Sequence, residues 1–538
     1  MRLSNLSALN GERKSLLDPD VTRTAAKPEG PDSDAQDLAQ NLAKDVVRFT
    51  RGAARRFNKS RSSVRDLFID IYSNALAGAC VIMLVVSLVL ALRDEITTRN
   101  LGSGSLVEAS WQVLPAEVFW IFLTYLALVG IIMTARKVGP VTVSRAQGAW
   151  WLPLPVNRRP MVLPSFLKRL TTTGAGASIV YAAYSFLTVA DRSVVEHAGS
   201  AATFGAATVI AVSSAAILQL KSDRSRLLRF SALIGFIPVA VLPFLTATIW
   251  PLVAALTAAI ILSIYVLPRL GDIPGADLVR GGAVSGHAEA SIFFLDVNEL
   301  RRSLTVESLS SSTRASRFYE RPTRRPAAAI MRADIVAFLR LQPAPIGAFI
   351  CLGICLAVAL INPALPVLVQ LGVILLAACT TAAGTGTVAR RIAVLPELDA
   401  LLPVAPAVVR SSRMLMPCLV LLVWMSTLTA SLTALGTTGP LLVVLGALAG
   451  IGMGAGSVRA ATRAPTDWTT PPVETPFGPI PADQGSSLLR GTDMTVLAII
   501  PVLLALYLGT VHPWLIAAQC IATTIAVTVH ILTPPAAR

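Results

Sequence analysis

The sequence predicts an all-α polytopic membrane protein, with twelve transmembrane helices in two parallel six-helix repeats. Three observations carry this prediction. Of the 538 residues, 54% are hydrophobic and 14% are charged, and the mean hydropathy is +0.65; a soluble chain carries about 25% charged residues. The apolar residues gather in runs long enough to cross a hydrocarbon core, which takes about 20 residues of helix. The basic residues collect in alternate connections between those runs, as they do in loops held on the cytosolic side. The composition excludes a disordered chain, a secreted disulfide scaffold and a large soluble enzyme. The six cysteines, Cys80, Cys351, Cys355, Cys379, Cys418 and Cys520, all fall in apolar runs without metal-ligand spacing and read as small core residues.

In chain order, residues 1–40 are polar and read as a disordered cytosolic tail, not a signal peptide. Residues 41–70 form a basic amphipathic segment. Val46, Val47, Phe49, Ala53, Ala54 and Phe57 line one side of a helix, with Arg48, Arg51, Arg55, Arg56 and Lys59 beside them. Such a segment lies in an anionic leaflet, or serves as a solvated basic linker that sets topology. The first six-span half covers 71–267, with spans at Ile71–Leu92, Val118–Ala135, Thr171–Ala190, Ala201–Leu220, Phe230–Thr248 and Pro251–Leu267. A cytosolic linker with short helices occupies 268–343. One helix is expected over Ala288–Leu304 and a second, amphipathic, over Ala327–Leu341. The second half covers 344–533, with spans at Pro345–Ile361, Pro366–Val388, Met414–Leu435, Leu441–Val458, Met494–Thr510 and His512–Leu532; residues 534–538 are a short cytosolic tail.

The charges test this count. With twelve spans and a cytosolic N-terminus, only Arg93, Arg99 and Arg192 of the 46 Lys and Arg fall on the outer side, leaving 43 on the cytosolic side and none inside a span. Removing one span would invert every later loop and destroy the asymmetry. The net charge of +15 then points to anionic membrane lipids and cytosolic partners, and nucleic acid need not be invoked. Acids are nearly missing from the spans: Asp70, Glu117 and Asp493 stand only at their edges. An ion-coupled carrier usually needs an ionisable group in the membrane interior.

The halves repeat after the second span of each. Ala135-Arg136-Lys137 is followed by Trp150-Trp151-Leu152-Pro153-Leu154-Pro155-Val156-Asn157-Arg158-Arg159, and Ala389-Arg390-Arg391 by Leu401-Leu402-Pro403-Val404-Ala405-Pro406, then Arg410 and Arg413. Each copy leads into a Met-containing start of the next span, Met161-Val162-Leu163-Pro164 and Met414-Leu415-Met416-Pro417. An even number of spans per half makes this a parallel repeat. Exposed tryptophans are costly unless they meet lipid heads or a partner protein, so the loop is either an interfacial anchor or a docking element.

A six-span half with a basic amphipathic segment first and such a loop after span two resembles the permeases of ABC-2-type exporters. The doubled form resembles a group of ABC exporter membrane proteins of actinobacteria. The resemblance implies a permease subunit in the bacterial cell membrane, driven by a separate ATPase subunit. It also implies that Trp150, Trp151, Leu152, Pro153, Arg158 and Arg159, with Leu402, Pro403, Arg410 and Arg413, form the segments that couple to that ATPase. The chain departs from the family between spans five and six, where Thr248–Pro251 and Gly509–His512 leave no room for re-entrant helices.

No phosphate-cradling G-x-x-x-x-G-K-[ST], H-E-x-x-H or G-x-S-x-G motif occurs, and no catalytic residue, cofactor or metal is expected. Gly384-Thr385-Gly386-Thr387-Val388-Ala389 matches a dinucleotide fingerprint in letters, but it closes a membrane span and reads as a flexible span end. His197, His287, His512 and His530 are scattered. Gly446, Gly450 and Gly454 recur every fourth residue and make one helix face suited to close packing. Two other readings are a secondary carrier of the major-facilitator kind, which the uncharged spans disfavour, and a non-transporting membrane scaffold.

Overall fold

The computed structural model describes residues 33–61, 64–99, 106–154, 157–189, 191–220, 226–245, 248–293, 325–340, 343–362, 365–393, 401–402, 404–462, 473–475, 478–480 and 491–532. Most of the expected N-terminal tail, the Ser/Thr/Arg-rich stretch before Arg325, most of the loop containing Trp468, and the C-terminal tail lie outside these residues. The chain is an all-helical multi-pass membrane protein. Eight of its described helices are long and apolar enough to cross a bilayer, or nine if one bent pair counts as a single span.

Helix α1, Ser33–Arg61, starts earlier than expected and carries the basic segment. It is followed by α2 (Val64–Arg99), a short strand β1 (Leu114–Pro115), α3 (Ala116–Val138), α4 (Arg145–Trp151), α5 (Arg159–Thr188), α6 (Val194–Leu220), α7 (Arg226–Val241) and α8 (Trp250–Val266). The linker contributes α9 (Gly275–Phe293) and α10 (Pro326–Arg340). The remainder is α11 (Pro343–Ala359), β2 (Ile361–Asn362), α12 (Val367–Thr385), α13 (Thr387–Ile392), α14 (Pro406–Ala434), α15 (Leu441–Ala461), a small antiparallel hairpin β3–β4 (Val473–Thr475 and Gly478–Ile480), α16 (Thr492–Leu508) and α17 (Pro513–Leu532).

Every expected span coincides with a helix. Four of these helices do not meet the length and hydropathy of a full span on their own. Helix α5 is the most polar of them. The apolar part of α7 and its 3-10 extension is confined to Leu233–Phe244, with Pro238 inside the helix and Pro243 in the extension. Helix α16 is short, and α11 forms the bent pair with α10 at an angle of 72°. The linker helix expected over Ala288–Leu304 is helical in its described part, which is the end of α9, Gly275–Phe293; residues 294–304 lie outside the described residues. The Gly281-Gly282 pair that argues against a helix by propensity is used there for packing.

Several threonines inside the apolar helices are satisfied locally. Thr124, Thr208, Thr381 and Thr429 each donate to the carbonyl four residues earlier, at 2.8–3.0 Å.

Helices α6 and α15 are the most enclosed, with 72% and 67% of their apolar windows buried, so each stands at the centre of its half. Helix α6 is packed by α3, α5 and α8, and α15 by α12, α14, α16 and α17. By contrast, α2 buries none of its apolar stretch Ile71–Asp94 and touches the rest mainly through α5.

Three glycines join α14 to α15. A Cβ on Gly446 would lie 2.5 Å from Thr429 Oγ1, on Gly450 2.5 Å from the Leu421 carbonyl, and on Gly454 2.5 Å from Cys418 Cα. The stripe therefore packs one helix on the other, as its spacing predicts. Gly452 and Gly456 face away from that seam, toward Ala498 and Thr495. The halves meet where β1 pairs in parallel with β2, over a core of Phe119, Val358 and Ile361.

Candidate functional site

The loop after α3 is a built element. It leaves the helix at Gly139, whose φ of +80° suits glycine, and the Gly139 carbonyl accepts from Arg169 Nη1 at 2.5 Å. Gln219, in the last turn of α6, clasps Val141 from both sides: its amide donates to the Val141 carbonyl at 3.3 Å and its oxygen accepts from the Val141 N–H at 3.4 Å. The Val143 N–H donates to the Leu278 carbonyl of α9 at 3.3 Å. A Cβ on Gly282 would lie 1.7 Å from the Val143 carbonyl, so only glycine allows α9 this close.

The short helix α4 follows. Its Ser144–Gln147 capping box satisfies two backbone donors at its start, with Ser144 Oγ accepting at 3.3 Å and Gln147 Oε1 at 3.0 Å. Gly148 of α4 lies against Val279 of α9.

This scaffold presents the two tryptophans differently. Trp150 is 77% exposed, while Trp151 and Leu152 pack onto a core built from Val141, Val143, Met161, Leu270 and Leu278. Pro153 is exposed. Asn157 Oδ1 accepts from the Arg159 N–H at 3.0 Å and so starts α5. Arg158 and Arg159 are half-buried, and their side chains form no ion pair or side-chain hydrogen bond among the described residues.

The second loop repeats part of this arrangement. Leu401 is 79% exposed and Leu402 is half-buried, matching Trp150 and Trp151. Pro403 lies outside the described residues. The arginines differ from those of the first loop. Arg410 donates through Nε to the Ile531 carbonyl at the end of α17, at 3.1 Å. Arg413 pairs with the buried carboxylate of Asp334 on α10, at 2.5 Å. The second loop therefore offers an exposed leucine, but its two predicted arginines are already held inside the molecule.

The N-terminal segment also folds onto the scaffold. Ala43 and Val47 of α1 are buried in the same core as Phe166 and Leu170 of α5, whereas Phe49 and Phe57 are 75% and 58% exposed. The apolar face expected from the sequence is thus divided between protein packing and an outward surface.

The sequence reading misses two buried polar contacts. One is the Asp334–Arg413 pair, whose partners are 79 residues apart in sequence. The other is a cluster at the opposite end of the first half. There His197 Nδ1 and Ser185 Oγ are 2.8 Å apart, and the His197 ring stacks on Phe186 at 4.0 Å. Arg93 lies over Phe186 at 5.7 Å. Arg192 donates to Ser200 Oγ at 3.0 Å and to the Phe244 carbonyl at 2.9 Å. Two of the three basic residues that break the charge asymmetry thus serve this cluster, and that is the signal that could have located it. No group of residues able to hold a metal ion occurs among the described residues.

No curated protein matches this chain, and no solved structure does. One family does match, over residues 112–471, an interval that runs from just before β1 to the hairpin and includes both loops. The chain accordingly belongs to the family described as "Family of unknown function (DUF6297)".

Proposed function

We propose that this protein is the membrane-spanning permease of an ABC-2-type exporter, driven by a separate ATP-binding subunit that docks on the loops after α3 and α12. The observation that carries the reading is the presentation of Trp150. A large aromatic side chain, 77% exposed, stands on a capped helix whose supporting loop is clasped by Gln219, Arg169 and α9. Rigid aromatic anchors beside unpaired arginines are what protein interfaces use most. A lipid anchor has no need of so exact a support.

The proposed topology is twelve spans in two parallel six-helix repeats, in the bacterial cell membrane, with both termini cytosolic. The 43-to-3 charge asymmetry supports it. So do matched pairings in the two halves: α5 with α6 and α14 with α15, α6 with α8 and α15 with α17, α3 with α7 and α12 with α16, α1 with α5 and α10 with α14. In this reading α1 and α10 are equivalent interfacial helices preceding their halves.

The test is co-purification of the full chain with a candidate ATPase. Trp150→Ala truncates an exposed side chain and should cost about 2 kcal/mol of association. Arg158→Glu with Arg159→Glu should release the ATPase more completely. Arg410→Glu disturbs an internal contact, so it serves as a folding control and not as an interface probe. If both loop variants insert normally and keep the ATPase at the wild-type level, the docking assignment is wrong and Trp150 is a lipid anchor.

A further inference from the structure

The basic end of the second half holds a cluster that the docking reading leaves unused. Arg410 stands in the second turn of α14, Arg459 in the last turn of α15 and His530 in the last turn of α17. The three helices pack together just beneath, through Met414, Cys418, Ala455 and Ala526. Arg410 is bound to the carbonyl of Ile531, next to His530, and both Arg410 and Arg459 act electrostatically on the His530 ring.

The donors outnumber the acceptors. His530 is 6% exposed, and among the described residues neither its Nε2 nor the buried Nη1 of Arg459 has a hydrogen-bond partner. Neither Arg410 nor Arg459 has a carboxylate partner among the described residues: the buried Asp334 is taken by Arg413, and Asp493 accepts from the Gly491 and Met494 N–H groups at the start of α16. The C-terminal dipoles of α15 and α17 explain why basic residues stand in their last turns. They do not supply an acceptor to Nη1 or Nε2, and the N-terminal dipole of α14 adds positive potential at the same end. The missing component is an anion.

We propose that Arg410, Arg459 and His530 form a binding site for a phosphate group at this end of the second half, filled by the headgroup of an anionic phospholipid or by free phosphate. Guanidinium forks match phosphate oxygens in geometry and charge. The site lies at helix ends, where spanning helices meet headgroups. The inference is independent of the permease reading.

The test uses the purified full chain in detergent. Native mass spectrometry measures retention of added phosphatidylglycerol against phosphatidylcholine, and a thermal-shift series measures stabilisation by inorganic phosphate. Wild type should retain phosphatidylglycerol selectively. Arg459→Gln should weaken retention about tenfold or more, the loss expected for one charge-assisted hydrogen bond. His530→Gln should weaken it less, and Arg459→Lys should keep part of it. Arg280→Gln, on the exposed surface of α9, should change nothing. Should Arg459→Gln fail to insert, Arg459→Lys and His530→Gln carry the comparison. Stabilisation by inorganic phosphate without lipid selectivity, lost in the same variants, supports the site and assigns free phosphate as the source. Retention indifferent to Arg459 and His530, or falling equally in Arg280→Gln, overturns the proposal.

Discussion

Gly450→Ala probes the seam at the centre of the second half. The added Cβ would lie 2.5 Å from the Leu421 carbonyl and 2.6 Å from Leu422 Cα, whereas ordinary contact begins at 3.4 Å. Both obstacles are backbone and cannot swing aside, so α14 and α15 must part locally by close to an ångström. A gap of about 0.5–1 Å forfeits a quarter to a half of each contact, and each contact contributes about 0.1–0.2 kcal/mol. Over roughly forty atom pairs along the seam the loss is about 2 kcal/mol. Alanine is the better helix former by about 1 kcal/mol in water, which offsets part of it. The net cost is therefore about 1–2 kcal/mol, and Gly450→Leu should cost about 3 kcal/mol. Equilibrium unfolding in mixed micelles with rising SDS measures the difference. Gly372→Ala is the control, because a Cβ there meets nothing within 4 Å. If Gly450→Ala is as stable as Gly372→Ala, the close-packing account of the glycine stripe fails.

Asp334→Asn removes the carboxylate from the buried pair with Arg413 and should destabilise the α10–α14 contact by about 3 kcal/mol, seen as a lower unfolding midpoint. Ser144→Ala removes one half of the α4 capping box; it should cost about 1 kcal/mol locally and speed hydrogen exchange over 145–151 without shifting global unfolding. A reporter active only outside the cytosol, fused after Arg538, should stay silent; activity there refutes the twelve-span topology. A photoreactive ATP analogue should not label the isolated chain specifically, since the sequence has no phosphate-cradling loop.

Helix placement was legible because the bilayer narrows the choices. An apolar run of sufficient length, without water to satisfy its backbone, has no alternative to a helix. Each expected span therefore found one, and the glycine stripe could be read as a packing face from its spacing alone. The failures have local causes. Helix α5 begins at Arg159, well before its apolar part, because Pro160 is tolerated in the first turn of a helix. Helix α9 begins well before Ala288 and runs through Gly281 and Gly282, poor helix formers by propensity that let Val143 approach. The half-burial of Trp151 beside the exposure of Trp150 depends on α9, more than a hundred residues away, and no local pattern encodes it. The Asp334–Arg413 and His197–Ser185 contacts are invisible for the same reason: each joins two helices whose pairing the sequence does not state.

The division of charge between the two loops bears on how the halves work. Both loops carry an exposed apolar residue followed by a half-buried one. The arginines are used differently. In the first half Arg158 and Arg159 have no side-chain partner among the described residues, and Arg169 and Gln219 do the work of holding the loop. In the second half Arg410 and Arg413 themselves fasten α14 to α17 and α10. A partner surface with acidic groups would thus be drawn to the first loop, and a mainly apolar contact would form at the second. Two identical ATPase subunits would then bind with unequal strength, and the difference should shrink as salt screens the first contact. Titration of the ATPase onto the chain at low and high ionic strength separates these cases. Two affinities that converge with salt support the division, whereas equal affinities at every ionic strength mean that the free arginines of the first loop do not take part in docking.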